Sequence, residues 1–337
     1  MKKIITMAVC TALIVVIFAG CGKQAETADG KVKTGLAVVT SLNKSADTGE
    51  NEGLAQADST VVAVTVDNTG KIVKCVIDAA QTRINFSPDG KITTPLDTVF
   101  QTKQELGADY GMGNVSGIKK EWNEQANAFA KYVEGKTLTE VKGIAVNEGG
   151  APTGSELTSS VTIHVTDFIA AIEKAVNNAK DLGANAGDKL GLGIVTTIDK
   201  STDAGADKEG LAQAYSTYTA ATFGPDGKIT SCIIDSSQSN VNFNASGEIT
   251  TDLNSEQKTK NEIGDEYGMK KVSGIQKEWN EQAAAFADYV KGKSIKEVKG
   301  IAVSEAGVPA GSDLTASVTI SITDFIQVIE KAAANAK

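Results

Sequence analysis

The segment GSELTSSVTIHVTDFIAAIEKA (Gly154–Ala175) decides the fold, because the chain repeats it almost letter for letter as GSDLTASVTISITDFIQVIEKA (Gly311–Ala332). The likeness extends outward from these segments over residues 33–180, the first copy, and residues 189–337, the second copy. Each copy has the length of one ordinary domain. Two copies at this spacing indicate a duplicated domain rather than a solenoid of short repeats.

Composition divides the rest of the chain into short connecting parts. We predict a signal peptide over residues 1–20 and a tether over residues 21–32, which is small, polar and without an apolar period. Residues 181–188 form a small-residue linker between the copies. Each copy has its own strands and helices, so we expect the two to fold independently.

The N-terminus has the layout of a bacterial export signal. Lys2 and Lys3 precede an apolar run from Ile4 to Ala19, which is short for a membrane-spanning helix and ends in small residues. Cys21 follows, and this junction resembles a lipobox; an ordinary signal peptide with an incidental cysteine is the alternative. The resemblance implies that Cys21 is acylated and anchors the protein on the outer face of the cytoplasmic membrane.

The chain is acidic, with 33 Lys and Arg against 42 Asp and Glu and a formal net charge of −9. Binding to phosphates of nucleic acid needs a basic surface, so we expect no nucleic acid partner. Adsorption to anionic lipid is disfavoured for the same reason. We therefore expect the lipid anchor, and not charge, to hold the protein at the membrane.

Apolar patterning predicts an α+β fold with two duplicated domains, each an antiparallel sheet with packed helices. Residues 35–40, 60–66 and 71–78 have the composition of strands, with a turn signal between the last two. From Ser116 the apolar residues follow a helical spacing, and Thr166 is a good capping residue for a terminal helix after a last strand. Strands segregated from helices give the α+β class.

Familiar catalytic constellations are missing from the sequence. The single histidine, His164, is replaced by Ser321 in the second copy, so a Ser-His-Asp triad would not be shared by both. No glycine-rich phosphate loop occurs. Cys75 and Cys232 stand alone in apolar strands, one in each copy, which predicts buried free thiols and no zinc site. A disulfide between the copies is the alternative, and it needs two core strands brought together.

The duplicated segment resembles the attachment region of the FMN-binding domain found in the sodium-pumping NADH:quinone oxidoreductase and in surface flavin lipoproteins. The motif of that family runs Asp, two variable residues, Ser or Thr, a small residue, Ala and the acceptor Thr. The second copy aligns with it from Asp313 to Thr319, and the first from Glu156 to Thr162. Glu156 is one methylene longer than the family's acid, so Thr319 is the stronger candidate and Thr162 the weaker.

Other positions depart from the motif or add candidates. Val161 and Val318 stand where the family prefers Ala, and Ala316 stands where it prefers Ser or Thr. The resemblance implies that a flavin transferase esterifies each acceptor threonine with the phosphate of FMN, giving up to two covalent flavins per chain. Ser160 and Ser317 are further residues of this cofactor site. Judged by spacing alone, the two threonines would be ordinary residues of a strand.

Tandem domains behind a lipobox are most similar to the pheromone-encoding flavin lipoproteins of Gram-positive extracellular electron transfer. The resemblance implies an electron-transfer flavoprotein rather than a classical enzyme. A membrane quinol or NADH oxidoreductase would reduce it, and external acceptors such as ferric iron would oxidise it. The segment ending at Gly20 would be released as a peptide pheromone. The alternative is a solute-binding or structural surface lipoprotein without a cofactor.

Both copies also keep a Tyr-Gly-Met sequence and a tryptophan, which are Tyr110 and Trp122 in the first copy and Tyr267 and Trp279 in the second. Aromatic rings can stack on a flat cofactor. The tryptophans fall on the apolar stripe of the predicted helix, so packing in the core is the favoured interpretation.

Overall fold

The computed structural model of the protein describes residues 30–337. The predicted signal peptide, Cys21 and most of the tether lie outside these residues. Within the described part of the chain, no helix is long and apolar enough to cross a membrane.

Each copy contains a three-stranded antiparallel sheet whose strands follow one another in chain order. In the predicted hairpin turn, Asp67 Oδ1 accepts the backbone N–H groups of Thr69 and Lys71 at 2.8 and 3.0 Å. Gly70 closes this turn with a φ of 81°, which only glycine adopts at no steric cost. The strands are β1 (Lys33–Ser41), β2 (Gly53–Val66), β3 (Ile72–Phe86), β4 (Lys189–Thr197), β5 (Gly210–Phe223) and β6 (Ile229–Phe243).

The helices follow the strands within each copy, so the predicted α+β class with two duplicated domains is confirmed. Two long helices and three short ones occur in each. Those of the first copy are α1 (Lys103–Leu106), α2 (Trp122–Val133), α3 (Leu138–Lys142), α4 (Ser155–Thr158) and α5 (Thr166–Asn177). Those of the second are α6 (Lys260–Ile263), α7 (Trp279–Val290), α8 (Ile295–Lys299), α9 (Ser312–Thr315) and α10 (Thr323–Asn335).

Two details of the prediction are wrong. Helix α2 begins at Trp122 and not at Ser116, because Lys119 takes a left-handed φ of 56° that interrupts a helical backbone. The last strand expected before the terminal helix is absent, and residues 161–165 form an irregular loop. The backbone N–H of Thr162 donates to a side chain, so it is not available for pairing with a strand.

The outer face of each sheet is covered by the two long helices of its own copy. In the first copy, Trp122 and Phe129 of α2 both lie against Phe168 of α5, with ring centroids 5.8 Å apart in each pair. The equivalent rings of the second copy lie 5.7 Å apart. Edge-on and tilted aromatic pairs of this kind add to the burial of apolar area, and they fix each helix pair on its sheet.

The inner faces of the two sheets pack against each other. Phe86 stacks on Phe243 with ring centroids 4.3 Å apart and planes inclined by 11°. The inner core draws on both copies and includes Leu36, Val38, Val61, Leu192, Ile194 and Tyr218. The expectation that the copies fold independently therefore meets a contrary observation, because each sheet buries its inner apolar face against the other sheet.

The two copies contact each other through the same surfaces in both directions. Asp47 Oδ1 accepts the Ile249 N–H at 2.6 Å, and Asp203 Oδ1 accepts the Ile92 N–H at 2.9 Å. Such reciprocal contacts are those of a twofold symmetric dimer. The chain is built as a pseudo-twofold dimer whose halves are covalently joined.

We predict that residues 189–337, expressed alone, do not form a stable monomer. The fragment would expose the apolar inner face of its sheet, which includes Leu190, Leu192 and Tyr218, and such a face drives association. Size-exclusion chromatography with light scattering should show a dimer or aggregates. A monomeric fragment with one cooperative unfolding transition would contradict the shared core.

Candidate functional site

Both predicted attachment threonines lie on exposed loops. Thr162 stands between α4 and α5, and Thr319 stands at the same place between α9 and α10. The residues just before them, Val161 and Val318, are fully buried. Each valine therefore anchors its loop in the core and leaves the following threonine at the surface, where another protein can reach the hydroxyl.

A buried glutamine holds each threonine. The Thr162 N–H donates to Oε1 of Gln125 at 2.8 Å, and the Thr162 hydroxyl donates to the same atom at 3.2 Å. Thr319 makes the same two bonds to Gln282, also at 2.8 and 3.2 Å. Both glutamines are wholly buried. The hydroxyl oxygen is thus held at a fixed position on an otherwise irregular loop.

The other end of each glutamine bonds to the loop that precedes the long helix. Gln125 Nε2 donates to Lys120 O at 3.0 Å and to Ser116 Oγ at 3.3 Å. Gln282 repeats these contacts in the second copy. Neither glutamine was predicted as a site residue from the sequence. Their signal was the sequence Trp-Asn-Glu-Gln-Ala, identical in both copies, with a polar residue on the apolar stripe.

Backbone strain marks the same loop in both copies. Lys119 has a φ of 56°, and its equivalent Gln276 has a φ of 52°. A left-handed conformation in a residue other than glycine costs about 1–3 kcal/mol and persists only where the surroundings enforce it. Each strained residue lies next to the carbonyl group that holds the glutamine, at Lys120 or Lys277. The two copies therefore keep the same strained backbone beside the glutamine.

The acidic residues of the motif have different surroundings in the two copies. Glu156 Oε2 accepts the hydroxyl of Tyr132 at 2.8 Å, and this bond raises the pKa of Tyr132. In the second copy the shorter Asp313 does not bond to the equivalent Tyr289. A cavity of about 470 Å³ is lined there by both residues. The carboxylate of the second copy is therefore open to a partner, whereas that of the first is engaged.

The loop beside the second threonine is also better held. Glu278 accepts the N–H groups of Met269 and Lys270 at 2.8 and 3.1 Å, and Lys270 and Lys271 are exposed. In the first copy Gly113 and Asn114 replace the two lysines. The loop in the second copy thus combines a fixed backbone with positive charge near Thr319.

Two of the hydroxyl groups beside the attachment threonines are bonded within their own helical turns. Ser160 is half-buried, and its Oγ donates to Leu157 O at 3.2 Å. Thr315 is exposed, and its hydroxyl donates to Ser312 O at 3.3 Å. Ser317 is half-buried. None of these residues contacts the buried glutamine, so they lie beside the site that the two threonines define.

The tryptophans belong to the core, as the sequence analysis favoured. Trp122 is 5% exposed and Trp279 is 3% exposed. Beside Trp279 the second copy buries Lys260, whose Nζ donates to Tyr215 Oη at 2.9 Å and lies 4.9 Å from the centre of the tryptophan ring. Burial lowers the pKa of Lys260 to about 8. The first copy keeps the equivalent contact, with Lys103 Nζ 5.3 Å from the centre of the Trp122 ring, but Asp58 replaces the tyrosine there.

The cysteines and the histidine have no part in the site. Cys75 and Cys232 are buried free thiols, as predicted, and burial raises the pKa of Cys232 to about 12. His164 is exposed on the attachment loop rather than in a strand, with Nδ1 2.9 Å from Gly149 O.

Comparison with known proteins gives little. No protein family model matches the chain, and no solved structure matches it. The chain is similar to chlorophenol reductase of Desulfitobacterium hafniense, with 34% identity over 94 residues. The match covers 25% of this chain and 29% of that protein, so the chain spans less than a third of the relative's length. A likeness of this extent assigns neither a family nor an activity.

We predict that Gln282→Leu loosens the attachment loop of the second copy. The change removes the acceptor of the Thr319 N–H and leaves the carbonyl group of Lys277 without its hydrogen-bond donor. The loss of these bonds should lower the free energy of unfolding by about 1–3 kcal/mol. Hydrogen exchange at the Thr319 amide should accelerate. Gln125→Leu is the matched control and should accelerate exchange at Thr162 alone. Unchanged exchange at Thr319 in Gln282→Leu would contradict the role given to this glutamine.

Stability should fall as the pH rises from about 4 to about 7. Burial raises the pKa of Asp235 to about 7 and that of Asp78 to about 6. An unfolded aspartate has a pKa of about 3.9, so the folded state binds more protons between these values and loses stability as pH rises.

Asp235→Asn tests this account of the pH dependence. The amide keeps an acceptor for the N–H groups of Ser236 and Asn261, but it does not titrate. Chemical denaturation from pH 4 to pH 8 should show a smaller fall in stability than in the unaltered protein. An identical fall in both proteins would show that Asp235 titrates normally.

Proposed function

We propose that the protein is a lipid-anchored extracellular flavoprotein. It would carry electrons from a membrane quinol or NADH oxidoreductase to external acceptors such as ferric iron, through FMN esterified to Thr319 and Thr162. The observation that carries the proposal is the pair of exposed threonine hydroxyls, each held by a buried glutamine at the same position of two domains. The resemblance of the duplicated segment to FMN-binding domains supplies the cofactor.

The residues around Thr319 suit an attached flavin. Esterification removes the hydroxyl proton, but the backbone N–H keeps its bond to Gln282, so the loop would keep its position. The loop that contacts Gln282 presents Val272, which is 85% exposed, and the half-buried Met269. These apolar side chains offer contact area to a flat ring, and the two lysines of that loop attract a phosphate.

The attachment chemistry explains why a separate transferase is required. The threonine oxygen forms a new bond to phosphorus, its proton goes to a base, and a leaving group departs from the phosphate of the flavin. A flavin dinucleotide provides such a leaving group as a nucleoside monophosphate. The Gln282 carboxamide accepts the hydroxyl's hydrogen bond, yet an amide is too weak a base to take the proton. A base other than Gln282 would take the proton.

A covalent bond suits a cofactor outside the cell, because a dissociable flavin would be lost by dilution at any attainable affinity. The attached flavin supplies the redox chemistry, while the protein supplies position and tether. The name of the relative, chlorophenol reductase, states a reduction and no cofactor. A solute-binding or structural surface lipoprotein is the competing function, and it needs neither threonine.

We predict that Thr319→Val and Thr162→Val each remove one flavin from protein produced together with a flavin transferase. Valine keeps the β-branched shape and removes the oxygen that can be esterified. Intact mass after denaturation should fall by one flavin in each single variant and by all flavin in the double variant. Thr315→Val is the control and should keep the full complement.

The same measurement separates the competing functions. Unaltered protein that carries no flavin when the transferase is present would overturn the proposed function. Full flavin content in the double variant would place the attachment at another residue. If only one site is filled, the open carboxylate of Asp313 and the lysines of its loop predict that it is Thr319.

A further inference from the structure

A cavity of about 510 Å³ lies between the two copies. Its walls come from β1 and the end of α5 in the first copy and from β6, α6 and α7 in the second. Neither attachment threonine lines it. The apolar part of the wall includes Leu36, Val38, Ile234, Ala284 and Ala287.

The pseudo-twofold symmetry creates an equivalent cleft on the other side, and there the chain fills the space itself. Asn127 of α2 accepts the Lys337 ammonium at 2.7 Å and the Gln104 carboxamide at 3.2 Å. In the open cavity, Ala284 stands in place of Asn127 and Asn261 in place of Gln104. The cavity thus exists because the side chains that fill one cleft are shortened in the other.

The filled cleft shows which chemical group the edge of the sheet binds. Asn335 of α10 lies with its carboxamide on the free edge of β4. Its Nδ2 donates to Leu192 O at 2.8 Å, and its Oδ1 accepts the Leu192 N–H at 3.3 Å. One amide therefore satisfies both backbone groups of an edge residue, which would otherwise be without partners.

In the open cavity the equivalent backbone groups belong to Leu36. Thr34, two residues earlier in β1, bonds outward to Lys180 with both its N–H and its C=O at 2.9 Å. Residues two apart in an antiparallel strand point to the same edge, so the N–H and C=O of Leu36 face the cavity. Within residues 30–337 no side chain bonds to either group. Asn178, the equivalent of Asn335, lines the cavity without reaching them.

One residue differs between the copies where the terminal helix crosses the edge strand. A Cβ at Gly193 of β4 would lie 1.9 Å from the Val328 carbonyl oxygen, so α10 approaches β4 closely only because this residue is glycine. Ala37 holds the same position in β1. Gly35 still lets the end of α5 approach β1 closely, since a Cβ there would lie 2.0 Å from the Ala175 carbonyl oxygen, so the helices differ in their approach at the position of Ala37.

We propose that this cavity binds a small molecule that carries a carboxamide or a lactam on an apolar ring. The amide would pair with Leu36 as Asn335 pairs with Leu192, and the ring would fill the space over Ala284 and Ala287.

The charges at the cavity select a neutral ligand over an anion. Asp235, Glu262 and Glu281 line it together with Lys174 and Lys180. Lys174 is already engaged, since its ammonium forms an ion pair with Glu262 and donates to Val38 O at 2.8 Å. A carboxylate in place of the amide would meet the remaining acids and would lack an N–H for the Leu36 carbonyl group.

Nicotinamide is the probe, because it combines a primary carboxamide with a small ring, and nicotinate is its matched control. Titration of the mature protein, followed by calorimetry and by the amide resonance of Leu36, should show saturable binding of one nicotinamide. Nicotinate should bind at least tenfold more weakly. The same titration of the Thr162→Val, Thr319→Val double variant should give the same affinity, because the cavity is separate from the attachment loops.

Two variants that import the residue of the opposite copy test the location. Ala284→Asn fills the cavity, and Ala37→Gly lets α5 close on β1, so each should weaken nicotinamide binding at least tenfold. Ala284→Ser adds one oxygen and should keep the binding. Undiminished binding in folded Ala284→Asn or Ala37→Gly protein, equal binding of nicotinate, or no saturable binding of nicotinamide at millimolar concentration would each overturn the proposal.

Discussion

Burial of both faces of each sheet is the constraint on which the rest of the structure depends. Every residue from Val61 to Val64 in β2 is fully buried, with alternate side chains in the outer and inner cores. Two long helices cover only one face of a three-stranded sheet, so the other face requires a second sheet. Duplication supplies that sheet within the same chain, and the reciprocal bonds of Asp47 and Asp203 fix the two halves in one arrangement.

This arrangement determines where chemistry can occur. The attachment threonines lie in the outer helical layers, and each faces away from the other copy. Two sheets, packed about 10 Å apart, lie between these helical layers. The seams between the copies are the places where the halves differ. Small exchanges, such as Ala284 for Asn127, leave one seam open while the other is filled. The outer sites are duplicated, whereas the seam cavity belongs to the assembled pair.

The sequence predicted the elements better than their association. The hairpin at Gly70, the buried cysteines and the stripe of the terminal helix follow from local patterns, and the structure has them. The shared core was not predicted. Its signal was the unbroken apolar run at Val61–Val64, since a strand with one solvated face alternates apolar and polar residues. The motif located the threonines on the chain, but Gln125 and Gln282 lie 37 residues away, and only the fold brings them together.

The central claim is that Thr319 and Thr162 are the groups to which a flavin is joined. The most direct measurement is tandem mass spectrometry of the peptides that contain them, from protein produced with a flavin transferase and digested after denaturation. The account predicts an adduct of FMN less water on Thr319, with Thr162 the second and less complete site. Unmodified peptides at both positions, or an adduct confined to another residue, would contradict it.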